Sequence, residues 1–121
     1  AIAREILKNT HWKNQVKLLH TRSKKWFPVI EPILAAYHIP DDLKYIVIVE
    51  SNLTNASSPK GAVGFWQLLK STGEQHGLEI TEYVDERLHV VKSTAAACRF
   101  LKYSYKELND WTLVVAAYNK G

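Results

Sequence analysis

The chain has 121 residues but only one cysteine, five glycines and four prolines. A lone Cys98 excludes an internal disulfide and a thiolate metal cluster. None of the five histidines (His11, His20, His38, His76, His89) has a partner at the i, i+4 spacing of a helical zinc site, so no metal is expected. So little Gly and Pro argues against a β fold with many turns. The longest mostly apolar stretch, Trp111 to Tyr118, falls far short of the about 18 residues of a membrane span. The opening Ala1-Ile2-Ala3-Arg4-Glu5 lacks a charged segment followed by an apolar one, so no targeting signal is visible. Internal repeats and low-complexity tracts are absent from the sequence as well.

What is present suits one globular domain: 46% hydrophobic and 23% charged residues, in a chain long enough to bury about 65% of its unfolded surface. The net charge of +4 is uneven. Residues 1–30 carry seven Lys/Arg against the single Glu5, which leaves the remainder slightly acidic. This asymmetry fits an anionic polymer as partner, nucleic acid or cell-wall glycan, although a solvated basic helix face is the commoner reading of such a pattern.

The pattern is mostly α. Residues 3–20 read as a basic, weakly amphipathic helix with Ile6, Leu7, Val16 and Leu19 on its apolar side. Ser23 is positioned to cap a second helix running to about Tyr37, with Pro28 and Pro32 near its first turns, and His38-Ile39-Pro40 ends it. The division expected is therefore a basic N-terminal helix over 1–22 leading into a domain over 23–121. A third helix runs from Asp41 or Asp42 to about Ser51, although its β-branched run Ile46-Val47-Ile48-Val49 would favour a strand on propensity alone. The segment Ser51 to Gly64 reads as a long loop, and Val63 to Thr72 as a short helix limited by Gly73 and Gly77. A long helix is predicted from Val90 to Leu108 with Val91, Ala95, Cys98, Leu101 and Tyr105 inward, then a nearly all-apolar helix, Trp111 to Asn119, at the centre of the core.

One residue breaks the apolar logic. In a helix, Leu43, Ile46, Val47 and Glu50 share one face, so a carboxyl sits on the stripe that should face the core. Desolvation and the negative end of a helix dipole both raise its pKa, which suits a general acid of the glycosidase kind. The alternative is a buried Glu neutralised by Arg87 or Arg99.

Three motifs in order sharpen this picture. Glu50-Ser51, then Ser58-Pro59-Lys60-Gly61-Ala62-Val63-Gly64-Phe65-Trp66-Gln67, then Ala117-Tyr118-Asn119 resemble the signatures of the family 1 lytic transglycosylases, the soluble-lytic-transglycosylase domain. Asp42 to Val49, Asp85-Glu86-Arg87 and Ser93 to Ala97 are similar to the membrane-bound D branch of that family, and the resemblance covers about residues 23–121. It implies an all-α, lysozyme-like fold acting on peptidoglycan glycan strands in the periplasm or cell envelope. The bond between N-acetylmuramic acid and N-acetylglucosamine would be cleaved without water, to give 1,6-anhydromuramic ends. Glu50 matches the catalytic acid and base, and the resemblance implies no cofactor.

The supporting positions each have a plainer alternative. Ser51 matches the motif serine, able to bond the Glu carboxyl or to cap the helix end. Ser58 and Gln67 match substrate-facing positions, where the Gln amide has donors and an acceptor for acetamido groups, though a Gln on a helix is ordinarily just solvated. Tyr118 and Asn119 match the last motif, with the Tyr hydroxyl orienting the Glu; core packing would otherwise explain such a Tyr. Trp66 stands where many members have Met, and His89 where an acidic residue is frequent. The resemblance further implies helices beyond Gly121 that complete the groove. Between Asp42 and Glu74 no acid other than Glu50 occurs, so a second catalytic carboxylate is not locally evident. Three rival functions remain: a hydrolysing lysozyme, a noncatalytic module binding peptidoglycan or chitooligosaccharide, and, on the basic N-terminal segment alone, a nucleic-acid binder. The ordered motifs favour a lytic transglycosylase without a nucleic-acid partner.

Overall fold

A computed structural model describes residues 9–120 of the chain. Helix α1 is Thr10–Ala36, with the Asn9 side chain accepting from the Trp12 backbone N–H at 3.0 Å as its N-cap. The two helices expected here are one. No glycine or proline interrupts His20 to Ser23, and the Ser23 hydroxyl donates backwards to the His20 carbonyl at 2.9 Å instead of capping a new start. The division expected at residue 22 therefore falls inside a continuous helix, while residues 3–8 of the first predicted helix lie outside the described part. Pro28 and Pro32 are tolerated mid-helix because they share the solvent face at i, i+4, where the carbonyls they leave unpaired are open to water; Ile30 and Leu34 on the opposite face are fully buried.

Beyond Pro40 a 3₁₀ turn, Asp41–Tyr45, leads into α2, Ile46–Ser51. The β-branched run is helical because Ile46 and Val47 bury their side chains in the core, a tertiary gain that outweighs local propensity. Asn52 (φ 52°) ends the helix in the left-handed region, with its N–H donating to Ile48 O at 3.0 Å.

The helix predicted over Val63–Thr72 is not formed. Val63 instead pairs in antiparallel bridges with Ser57 and Leu68, and positive φ at Gly64 (87°) and Gln67 (50°) breaks helical progress. The close approach of another strand of backbone explains this: a Cβ on Gly64 would lie 2.2 Å from the Arg87 carbonyl oxygen. Helix α3 begins later, at Lys70–Gln75, and includes Gly73.

A 3₁₀ turn, Glu86–Leu88, precedes α4, Val90–Leu108, whose first turn is capped by His89 Nδ1 accepting from the Lys92 N–H at 3.1 Å. Its bounds match expectation but its inward face is rotated. Thr94, Ala97, Cys98 and Leu101 are buried against α1 and the loop, whereas Val91 is 47% exposed. Helix α5, Trp111–Lys120, packs on α4 and buries only Val114, with Leu113 51% exposed. It is a flank of the core and not its centre, because only one of its faces meets α4. The core joins Ile30 and Leu34 of α1, Val47 of α2, Trp66 of the loop and Leu101 of α4. Among the described residues there is no helix long and apolar enough to cross a membrane.

The buried Arg87 holds the loop. Its Nη1 donates to Gly61 O at 3.0 Å and Leu68 O at 3.1 Å, while Nε and Nη2 donate to the two Asp85 oxygens at 2.9 and 2.8 Å. That guanidinium also holds the Asp85 carboxyl below its ordinary pKa of 3.8. A carboxylate with a depressed folded-state pKa contributes stability above its unfolded pKa and loses it as pH falls through the folded value. Thermal melts should therefore show Asp85→Asn costing stability at pH 7, with the gap to wild type closing below about pH 4. Arg87→Met should cost about 3–5 kcal/mol at pH 7, since it leaves Asp85 and two carbonyls without their donor.

Candidate active site

Glu50 stands one residue before the end of α2 and opens onto a cleft of about 400 Å³ between the 3₁₀ turn with α2 on one side and α5 on the other. Leu43, Ile46, Val49, Val115 and Ala116 make its walls apolar, and Glu50, Asp42 and Asn119 supply polar groups. Burial pushes the Glu50 carboxyl up from its ordinary 4.5. No cation offsets this among the described residues. Arg87 is committed to Asp85 and the loop, and Arg99 donates to His76 O and to the Tyr37 hydroxyl, at 2.8 Å for the latter. The alternative of a Glu50 neutralised by either arginine is thereby overturned.

Tyr118 lies against the same cleft, its hydroxyl donating to the Trp66 carbonyl. Burial, and then the nearby Glu50 charge, push its phenol well above its usual range. The phenol stays protonated and its one hydrogen is spent, so only oxygen lone pairs are left for a neighbour. A protonated Glu50 is a suitable donor to them. Asn119 is exposed along the cleft edge.

The remaining predicted site residues are placed differently. Ser51 is buried, and its hydroxyl reaches Val47 O at 2.9 Å and Phe65 O at 2.8 Å, tying the loop to α2 without touching the Glu50 carboxyl. Ser58 accepts from the Ala62 N–H at 3.1 Å and shapes a tight turn, Ser58 to Ala62. Gln67 spends its amide nitrogen on Ala56 O at 2.8 Å and Gly64 O at 3.0 Å, so only its carbonyl oxygen can meet a ligand. It faces a second, smaller groove of about 180 Å³ with Thr72, Phe100, Ser104 and Tyr118. Tyr118 thus forms the ridge between the two clefts, and Ser51 and Ser58 line neither.

Two participants escaped sequence inspection. The Trp66 carbonyl, which anchors Tyr118, leaves no trace in residue type. Asp42 was read as a helix start and as part of a family-like stretch but not as a site residue, yet it lines the Glu50 cleft.

Comparison with known proteins gives the family. Residues 27–121 match the model of the transglycosylase SLT domain. The chain belongs to the SLT family. Its fold is accordingly the lysozyme-like all-α fold of that domain. It is 35% identical over 119 residues, 97% of the chain, to the membrane-bound lytic murein transglycosylase D of Escherichia coli K12, and equally to that of strain O6:H1. The SLT chain described here spans about a quarter, 26%, of the length of those relatives.

The unpaired carboxyl has a thermodynamic signature. A carboxyl whose folded-state pKa is raised is penalised once ionised, so its stability contribution falls as pH rises through the unfolded pKa of 4.5. Glu50→Gln should melt at least as high as wild type at pH 7–8, and the advantage should vanish below about pH 4; a lower melting temperature for the variant at pH 8 would mean that Glu50 has a stabilising partner.

Proposed function

We propose that this SLT domain is a peptidoglycan lytic transglycosylase in which Glu50 serves in turn as acid and base. The protonated carboxyl gives its proton to the β-1,4 glycosidic oxygen between N-acetylmuramic acid and N-acetylglucosamine, and the C1–O bond breaks. The carboxylate so formed then takes the proton of the muramic C6 hydroxyl as that oxygen bonds to C1. The product is a 1,6-anhydro ring and the proton inventory of Glu50 is restored. A single carboxyl suffices, and no metal or organic cofactor enters.

The observation that carries this reading is a Glu at a helix end, in an apolar cleft, with its pKa raised and no cation beside it. An acid must hold its proton until the glycosidic oxygen takes it and a base must be able to take one back, and a carboxyl whose pKa is raised by burial is better suited to both than a solvated one. The similarity to murein transglycosylases supports peptidoglycan as substrate and, with it, the cell envelope as the site of action. A hydrolysing lysozyme would ordinarily use a second carboxylate to activate water or trap the sugar, and the fate of solvent oxygen distinguishes that reaction from the one proposed. Tyr118, oriented by Trp66, is the positioning residue for the Glu50 carboxyl. Asn119 and the Gln67 oxygen are available to sugar substituents on either side of it.

Digestion of peptidoglycan in ¹⁸O-labelled water decides between the reactions. Mass spectrometry should find 1,6-anhydromuramic ends without label, whereas labelled reducing ends would establish a lysozyme. In the full-length protein, Glu50→Gln should keep wild-type circular dichroism and lose activity by about 10³–10⁴-fold, the upper range for general acid–base catalysis. Wall binding that persists with no turnover in the wild type would favour the noncatalytic module.

A further inference from the structure

On the far side of α4 from its N-terminal cap lies a groove of about 660 Å³ that has no part in the proton chemistry. Its lining includes Arg99, Lys102 and Lys106, with His76 and Tyr103, and no carboxylate. This is unexpected in charge terms, since residues 31–121 together are slightly acidic. The other ion-paired cations of the core region, Lys44, Arg87 and Lys92, have carboxylates at 2.5–2.8 Å, whereas Arg99, Lys102 and Lys106 have none among the described residues. The three fall on one stripe of α4 at i, i+3 and i+7.

The stripe is built rather than merely charged. The Arg99 guanidinium is fixed by donating to His76 O and to the Tyr37 hydroxyl, which uses three of its five N–H groups and leaves two for a ligand. Lys102 and Lys106 are exposed beside it, one turn apart. The groove is also close to the proposed glycan cleft. Phe100, in the groove beside Tyr118, is 5.8 Å from the Tyr118 ring, and from Phe100 the aromatic row continues to His76 at 5.6 Å and on to Tyr103 at 6.3 Å.

We infer that this groove binds the carboxylates of the short peptide borne by the muramic acid of the substrate. The inference rests on the function proposed above, which supplies a glycan whose anionic groups reside on such a peptide. The two grooves adjoin on α4, where Ser104 lines the groove beside Tyr118 and its chain neighbour Tyr103 lines the basic one. Fixed guanidinium and mobile ammonium groups together suit carboxylates spaced along a flexible chain.

The test needs no turnover. A sugar-free stem tetrapeptide with free carboxylates is titrated calorimetrically into the full-length protein, its Lys102→Gln/Lys106→Gln variant, and Lys17→Gln as a control on exposed α1. The double variant should bind about tenfold more weakly, the carboxyl-amidated peptide should bind wild type as weakly as that, and Lys17→Gln should match wild type. The inference is overturned by no saturable binding to wild type, by an equal loss in Lys17→Gln, or by a duplex DNA oligonucleotide binding more tightly than the peptide at 0.15 M salt. Since binding is read without catalysis, anhydro ends without peptide binding would sink this inference alone. Peptide binding without anhydro ends would sink the transglycosylase reading.

Discussion

The buried guanidinium of Arg87 is the constraint on which the site depends. The segment from Asn52 to Leu69 has little regular structure of its own, and a loop of that length keeps a fixed shape only if its backbone groups find partners. Arg87 supplies them at two points far apart in sequence, Gly61 O and Leu68 O, while Asp85 neutralises its charge. The same contact explains Gly64, which must have no side chain because the chain runs over the Arg87 carbonyl. Packing and electrostatics therefore impose one loop conformation together, and a change to either member of the ion pair would be felt at the turn that positions Phe65 and Trp66.

Trp66 carries that order to the chemistry. Its ring is fully buried, its indole N–H donates to Thr94 of α4 at 2.9 Å, and its carbonyl receives the Tyr118 hydroxyl from α5. One loop residue thus joins α5, which flanks the cleft, to α4 behind it. Ser51 joins the same loop to α2 through Phe65 O, so the Glu50 end of the helix and the Tyr118 ridge are referenced to a common segment. Rigidity of this kind is what a proton-transfer site requires, because a displacement of about 1 Å can cost on the order of 10²-fold in rate.

Much of this was legible in the sequence, and the failures have physical causes. The 3.6-residue period and the caps gave α4 to the residue, and Glu50 stood out because a carboxyl on an apolar stripe has few innocent explanations. Ser23 misled because serine caps and serine back-bonding look alike until the neighbouring turns are known. The Val63–Thr72 helix failed because positive φ at Gln67 is imposed by tertiary contacts and not by residue type. Helix α5 was misjudged for a related reason: apolar composition reports a wish for burial but not whether a partner is present on every side. Ser51 and Ser58 were recognised as important, yet their hydroxyls organise backbone around the site instead of lining it.

The Tyr118 hydrogen bond has a consequence for how one carboxyl can do two jobs. Had the phenol hydrogen pointed at Glu50, it would stabilise the carboxylate and lower its pKa, favouring the base at the expense of the acid. With that hydrogen held by Trp66 O, the phenol offers an acceptor, which favours the protonated carboxyl before the bond breaks. Desolvation acts in the same direction. Both effects shift the balance towards the protonated carboxyl, and a carboxylate formed there by the proposed proton transfer would have no cation and no phenol hydrogen to stabilise it. In the proposed reaction such a carboxylate would be a stronger base than a solvated one at the moment when the C6 hydroxyl must lose its proton. The absence of a compensating charge beside Glu50, which costs the fold stability once the carboxyl ionises, would then favour return of the proton and close the proposed cycle.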